Sequence, residues 1–267
     1  MRAVPPDMYC HPLDKKTLNS LKAIPMFDSA LKKVMSIFSE NFMEGLNMAE
    51  KFRLSNEQLP EIYNLLPPIC ETLGIEEPQF YLEMDPIPNA YTYGDTKIAI
   101  TVTSGLVNTM STEELKTVIA HECGHIACHH VLYYSMANLM LDSGIDLLGL
   151  GSLLAVPLKW GLYKWSRCSE LSADRAAAVV MGGSEHVENI MMKFAGGLKD
   201  INQKANKELY MKQAEAYLGM LENSKWNKIQ QYYLVSMRDH PLNAIRADEI
   251  NKWCKSEDFE KIIDFMK

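Results

Sequence analysis

Apolar residues recur three and four positions apart over much of the N-terminal part, a spacing that predicts one apolar face on a helix. A mostly helical stretch runs from about residue 14 to 53, with helix spacing at Leu31, Val34, Met35 and Phe38. A further helix is predicted from an N-cap at Ser55 to Leu73, because Gly74 follows as glycine often follows helix C-termini.

Residues 79–84 (QFYLEM) and 97–103 (KIAITVT) predict strands instead. The second segment is rich in β-branched residues and lies between Gly94 and Gly105. A small sheet is therefore expected directly before the next helix.

That helix begins with a capping-box pattern, in which Ser111 is the N-cap and Glu114 stands three residues on. Apolar residues continue at helical spacing to Ala127, and the pattern allows the helix to reach about Met140. Later helices are predicted over 166–181, 184–194, 206–221, 226–235 and 242–254. The expected fold is α+β and predominantly helical, with residues 1–54 as a helical extension packed on a domain of residues 55–267.

The most apolar stretch, residues 133–165, contains no uncharged run that is long enough to span a membrane. Its longest uncharged run, 147–158, has 12 residues, whereas a span needs about 20. Buried or cleft-covering helices are expected here, with a peripheral membrane or partner contact as the alternative.

Composition narrows the function. The 267 residues carry a net charge of −7, which argues against nucleic-acid binding because that requires a basic face. The six cysteines form no C-x-x-C pair, so reduced thiols in a cytoplasmic protein are expected.

The capped helix carries His121 and His125 with Glu122 between them. Residues four apart share a helix face, so both imidazoles can bind one Zn²⁺ while Glu122 acts on a water. His129 extends the same face, but three such histidines span about 12 Å and cannot hold one ion.

Catalytic zinc takes three protein ligands, and the candidate for the third is Glu170. Asp174 follows at i+4 and could accept the spare ring N–H of a ligating histidine. The alternative is a solvated acidic face paired with Arg167 and Arg175.

His121-Glu122-Cys123-Gly124-His125 followed by Glu170-Leu171-Ser172-Ala173-Asp174 resembles the HtpX/CAAX-prenyl-protease-type family of zinc metallopeptidases. The resemblance extends to Pro88-Asn89-Ala90-Tyr91, to an edge strand at Ile100–Leu106, and to His240-Pro241 with Arg246. It implies a gluzincin-type fold, with one zinc ion per chain. It also implies that His240 stabilises the tetrahedral intermediate and that Arg246 orients His240 or the substrate. His130 matches a position where the family often has histidine, and we expect it to hydrogen-bond in the core.

The expected function is a cytoplasmic zinc endopeptidase, similar to soluble members of the family, that cleaves unfolded or flexible polypeptides with Glu122 as general base. Substrate is expected to add as a strand beside Ile100, Thr101 and Val102, with Asn89 and Ala90 next to it. A zinc-binding interaction or chaperone-like module with little or latent proteolysis is the alternative. Residues 133–165 lie between the two zinc-binding elements, so they could also form a lid.

Overall fold

The computed structural model describes residues 2–25, 27–37, 39–142, 152–196, 204–222 and 242–267. The predicted helix at 226–235, His240 and Pro241 lie outside the described residues. The helices are α1 (Pro12–Lys22), α2 (Phe27–Ile37), α3 (Glu40–Glu50), α4 (Pro60–Tyr63), α5 (Leu66–Leu73), α6 (Ser104–Thr109), α7 (Thr112–Ala127), α8 (Val131–Asp142), α9 (Ser152–Met181), α10 (Glu185–Gly196), α11 (Lys207–Glu222), α12 (Asn243–Cys254) and α13 (Glu257–Met266).

A four-stranded mixed sheet lies among these helices. Its strands are β1 (Phe52–Arg53), β2 (Gln79–Glu83), β3 (Ala90–Tyr93) and β4 (Ala99–Thr103), in the order β1-β2-β4-β3. The central pair β2 and β4 is parallel, and each outer strand is antiparallel to its neighbour. A predominantly helical α+β fold with a small antiparallel-edged sheet is therefore confirmed.

The predicted edge strand is wrong. β4, which contains Ile100, Thr101 and Val102, pairs with β2 on one side and β3 on the other, and its five residues are all buried. Its main-chain groups already have partners, so a peptide cannot add beside these three residues. The edge strand next to β4 is β3.

The capping box that starts α7 is confirmed: the Ser111 side chain accepts from the Glu114 N–H, and the Glu114 side chain accepts from the Ser111 N–H. The expectation that this helix reaches Met140 is wrong, because α7 ends at Ala127. His129 adopts a left-handed φ of 59°, its N–H donates to the Ile126 carbonyl, and the His130 N–H donates to the His125 carbonyl. This pair of hydrogen bonds is a Schellman motif, here with histidine where glycine is usual. It turns the chain into α8.

The main apolar core lies between the sheet, α5, α7, α9 and α12, and it includes Val4 and Tyr9 from the N-terminal segment. A second cluster joins α1 and α2 to α8 and α9 through Leu21, Phe27, Ala137, Leu158 and Trp165. The described part of the apolar stretch 133–165 thus packs against the N-terminal helices. No helix among the described residues is long and apolar enough to cross a bilayer.

Candidate metal centre

Three side chains from two helices converge on one point. His121 and His125 lie on α7 and Glu170 on α9, and their ligand atoms all fall within 4.8 Å of one another. His121 Nε2 lies 3.4 Å from Glu170 Oε2, and His125 Nε2 lies 3.3 Å from the other oxygen, Oε1. Zinc bonds of 2.0–2.1 Å at the tetrahedral angle place two ligand atoms about 3.3–3.4 Å apart. The donor set and its spacing therefore fit a zinc ion.

Close packing of α7 on α9 sets this spacing. Gly124 stands between the two histidines, and a Cβ added there would lie 2.7 Å from Cβ of Ala176. Glu170 and Asp174, one turn apart on α9, are 1% and 2% exposed, which excludes the solvated acidic face. Arg175 lies over the Trp253 ring, 4.8 Å from its centroid.

On the His121 side, Nδ1 lies 3.0 Å from Asp174 Oδ1. Asp174 in turn accepts two hydrogen bonds from Arg246, at 2.8 Å from Nε and 2.6 Å from Nη2. Arg246 Nη1 is also 3.2 Å from the Glu170 carboxylate. The sequence predicts that Arg246 orients His240 or the substrate. Arg246 also lies 3.4 Å from His121 Nδ1 and lines the adjacent cavity. His240 lies outside the described residues, so the predicted role of Arg246 stays a prediction.

These charges set the protonation of the metal-free site. Burial lowers the pKa of His121, but the charges of Glu170 and Asp174 outweigh burial and raise that pKa to about 10. Burial dominates at His125 and lowers its pKa. Burial raises the pKa of Asp174, yet the adjacent Arg246 guanidinium holds it below its usual range. A metal ion entering this site must displace a proton from His121.

His125 has different neighbours. Its Nδ1 lies 3.0 Å from Nδ1 of His130, so the expectation that His130 hydrogen-bonds in the core is confirmed. The Tyr134 hydroxyl donates to Glu170 Oε1 at 2.8 Å, and its ring meets the His125 ring edge-on. Sequence reasoning missed Tyr134. It lies one turn after His130 on α8, but predicting its role requires knowing that the chain turns at His129.

Glu122 lies on the wall of a cavity of about 290 Å³ that also includes His121, Glu170, Asn89 and Ala90. The Thr92 hydroxyl, on β3, donates to Glu122 Oε2 at 2.7 Å, a contact that sequence reasoning also missed. Apolar residues of α10 also line this cavity, namely Val187, Ile190, Met191 and Phe194. The described lining contains neither Ile100, Thr101 and Val102 nor any residue of 133–165. That residues 133–165 form a lid stays a prediction.

Comparison with known proteins adds the family. The sequence profile of "Peptidase family M48" matches residues 56–254. "Plastoglobule-localized metallopeptidase 48, chloroplastic" of Arabidopsis thaliana is 32% identical over 272 residues, covering 98% of this chain and 79% of that protein. "Protease HtpX homolog 2" of Methanosarcina mazei is 25% identical, covering 54% of this chain and 58% of its own length. "Protease HtpX homolog" of Ralstonia nicotianae is 26% identical, covering 61% and 68%. No solved structure matches the chain significantly.

Proposed function

Because the chain belongs to Peptidase family M48 and is a metallopeptidase, we propose that it is a zinc-dependent endopeptidase acting on unfolded or flexible polypeptides. One observation carries the proposal: two imidazole nitrogens and a carboxylate meet at zinc-ligand spacing beside a cavity. His121, His125 and Glu170 are the proposed ligands of one zinc ion, with Asp174 orienting His121.

The zinc ion supplies Lewis acidity, which lowers the pKa of a water and polarises the scissile carbonyl. Glu122 accepts the proton of the attacking water and passes it to the leaving amine. The hydrogen bond from Thr92 fixes the orientation of the Glu122 carboxylate. Arg246 balances the charge of Glu170 and Asp174 and so holds the site together. The resemblance adds His240 as the proposed group that stabilises the tetrahedral intermediate.

The cavity and the neighbouring strand β3 support the proposed substrate class. β3 pairs with β4 along one side, and we propose that its other side receives an extended peptide by strand addition. Ala90, the first residue of β3, and Asn89 directly before it line the same cavity as Glu122. The apolar wall formed by α10 would favour an apolar substrate side chain next to the scissile bond. Unfolded polypeptides offer both an extended backbone and exposed apolar side chains.

The test combines metal analysis with casein cleavage for the wild type and Glu122→Gln. The variant should keep one zinc ion per chain and lose roughly 10²–10⁴-fold in rate, the usual contribution of a general base. Glu113→Gln, an exposed change on the same helix, is the matched control and should keep wild-type activity. Equal cleavage by Glu122→Gln would refute the role of Glu122. Zinc bound without cleavage by the wild type would favour the interaction or chaperone-like module.

The cytoplasmic location argued from the cysteines also stays a proposal. The name of the plant relative places that protein at chloroplast plastoglobules. Fractionation of cells that express the tagged chain would distinguish a cytoplasmic location from a plastoglobule location. Association with membranes that survives a high-salt wash would contradict the cytoplasmic proposal and favour a peripheral contact through residues 133–165.

A further inference from the structure

A chain of hydrogen bonds leads from His125 to the N-terminal helix α1. His130 Nδ1 lies 3.0 Å from His125 Nδ1, and His130 Nε2 lies 2.8 Å from Oδ2 of Asp14. His125, His130 and Asp14 are 6%, 1% and 3% exposed. Both hydrogen bonds are therefore shielded from water. Hydrogen bonds are stronger in such a buried environment than in water.

Backbone structure fixes both ends of this chain. The Schellman motif that ends α7 returns His130 beneath His125. Asp14 is held against α9, because the Ser172 hydroxyl donates to its Oδ2 at 2.7 Å and the Trp165 N–H donates to its Oδ1 at 3.0 Å. Burial alone would raise the pKa of Asp14, but its hydrogen bond to His130 contributes most to lowering it. Asp14 is therefore a charged acceptor in a fixed position.

The donors and acceptors can be assigned in one way when a metal is bound. Nε2 of His125 faces Glu170 and must be unprotonated to bind a metal. Nδ1 of His125 then carries the ring proton and donates to Nδ1 of His130. His130 must accept on Nδ1, so its own proton lies on Nε2, where it donates to Asp14. A carboxylate at position 14 is what favours this tautomer.

We propose that Asp14 is a positioning residue of the metal centre, which acts through His130 to fix the tautomer and orientation of His125. Helix α1 is then part of the centre, although the match to the family profile begins at residue 56. Partners of ligating histidines commonly contribute 10–100-fold to metal affinity. The inference rests on the proposed zinc site.

The first test measures the dissociation constant for zinc by competition with a chelator, using the full chain. Asp14→Asn keeps the shape of the side chain, but its amide oxygen and NH₂ cannot both accept from Trp165 and from His130. The dissociation constant should rise about 10–100-fold. Leu21→Ala is the control: Leu21 is a buried residue of α1 outside the hydrogen-bond chain. It should lower the melting temperature and leave the zinc affinity within about threefold, because the ligands and their partners stay unchanged.

A second measurement needs no variant. ¹⁵N NMR of the zinc-loaded wild type should show His130 protonated on Nε2 and His125 protonated on Nδ1. A proton on Nδ1 of His130, or a folded Asp14→Asn variant with wild-type affinity, would overturn the inference. Equal loss of affinity in Leu21→Ala would show that α1 acts only through stability. Failure of the wild type to bind zinc would instead refute the proposed function, so the two failures are distinguishable.

Discussion

Gly124 sets the distance between the two helices of the metal centre, and Gly124→Ala tests this directly. The added Cβ would lie 2.7 Å from Cβ of Ala176 and 3.0 Å from Cα of Ala173. Carbon atoms normally approach to about 3.5–4.0 Å, so the shortfall at Ala176 is about 0.8–1.3 Å. Neither atom belongs to a flexible side-chain end, so α7 and α9 must separate.

Gly124→Ala has two opposing effects on the free energy of unfolding. Overpacking costs about 1–3 kcal/mol, and replacing glycine by alanine inside a helix returns about 0.8–1.0 kcal/mol. The net loss in the free energy of unfolding is then about 0–2 kcal/mol. Zinc affinity should change more clearly, because separating α7 from α9 lengthens the 3.3 and 3.4 Å distances from the two imidazoles to the Glu170 carboxylate. A displacement near 1 Å should weaken zinc binding at least about tenfold.

Urea unfolding of the metal-free protein and chelator competition measure the two quantities. Gly45→Ala is the matched control, since Gly45 lies inside α3 with no atom within 4 Å of an added Cβ. It should stabilise the protein by about 0.4–1 kcal/mol and leave zinc affinity unchanged. Adding Ala176→Gly to the Gly124→Ala variant should recover affinity. Wild-type affinity in Gly124→Ala alone would refute the claim that Gly124 sets the spacing.

Three other substitutions or conditions test the contacts around the metal centre. Thr92→Val should lower kcat about 10–100-fold with zinc content unchanged, since hydrogen bonds to charged groups contribute about 1.5–3 kcal/mol. Thr92→Ser keeps the hydroxyl that donates to Glu122 and should keep the wild-type kcat. Arg246→Met should lower the free energy of unfolding, measured by urea denaturation, by about 3–5 kcal/mol, because it leaves a buried carboxylate unpaired. Adding Asp174→Asn to this variant should restore part of the lost stability. The pKa of His121 is raised from 6.5 to about 10 in the metal-free protein, so the stability it contributes is full below pH 6.5 and disappears as pH rises through 10. The melting temperature of metal-free protein should fall over that range, and a smaller fall is expected for His121→Gln; equal falls in both would contradict this origin.

Local patterns predicted the parts of the centre that local structure determines. The capping box, the spacing of His121 and His125, and the pairing of Glu170 with Asp174 all depend on helix geometry within a few residues. The end of α7 was missed because its left-handed position holds His129, not the glycine that usually marks such an end.

Long-range contacts account for the other errors. The segment that forms β4 alternates isoleucine or valine with alanine or threonine, a pattern compatible with either an edge or a central strand. Its position depends on parallel pairing with β2, which no local feature encodes. Asp14 likewise meets His130 across 116 positions of sequence. An isolated aspartate in a helix carries no sign of such a partner.

The ion pairs of Arg246 also determine when the metal centre can assemble during protein synthesis. A ribosome delivers His121 and His125 first and Glu170 about fifty residues later, at roughly 5–20 residues per second. The guanidinium that balances Glu170 and Asp174 follows another 76 residues on, at position 246. Until then, His121 alone could balance the two buried carboxylates, and burying the remaining negative charge is costly. The nascent chain should therefore keep this region open, and zinc should be captured in its final geometry only after α12 has left the ribosome.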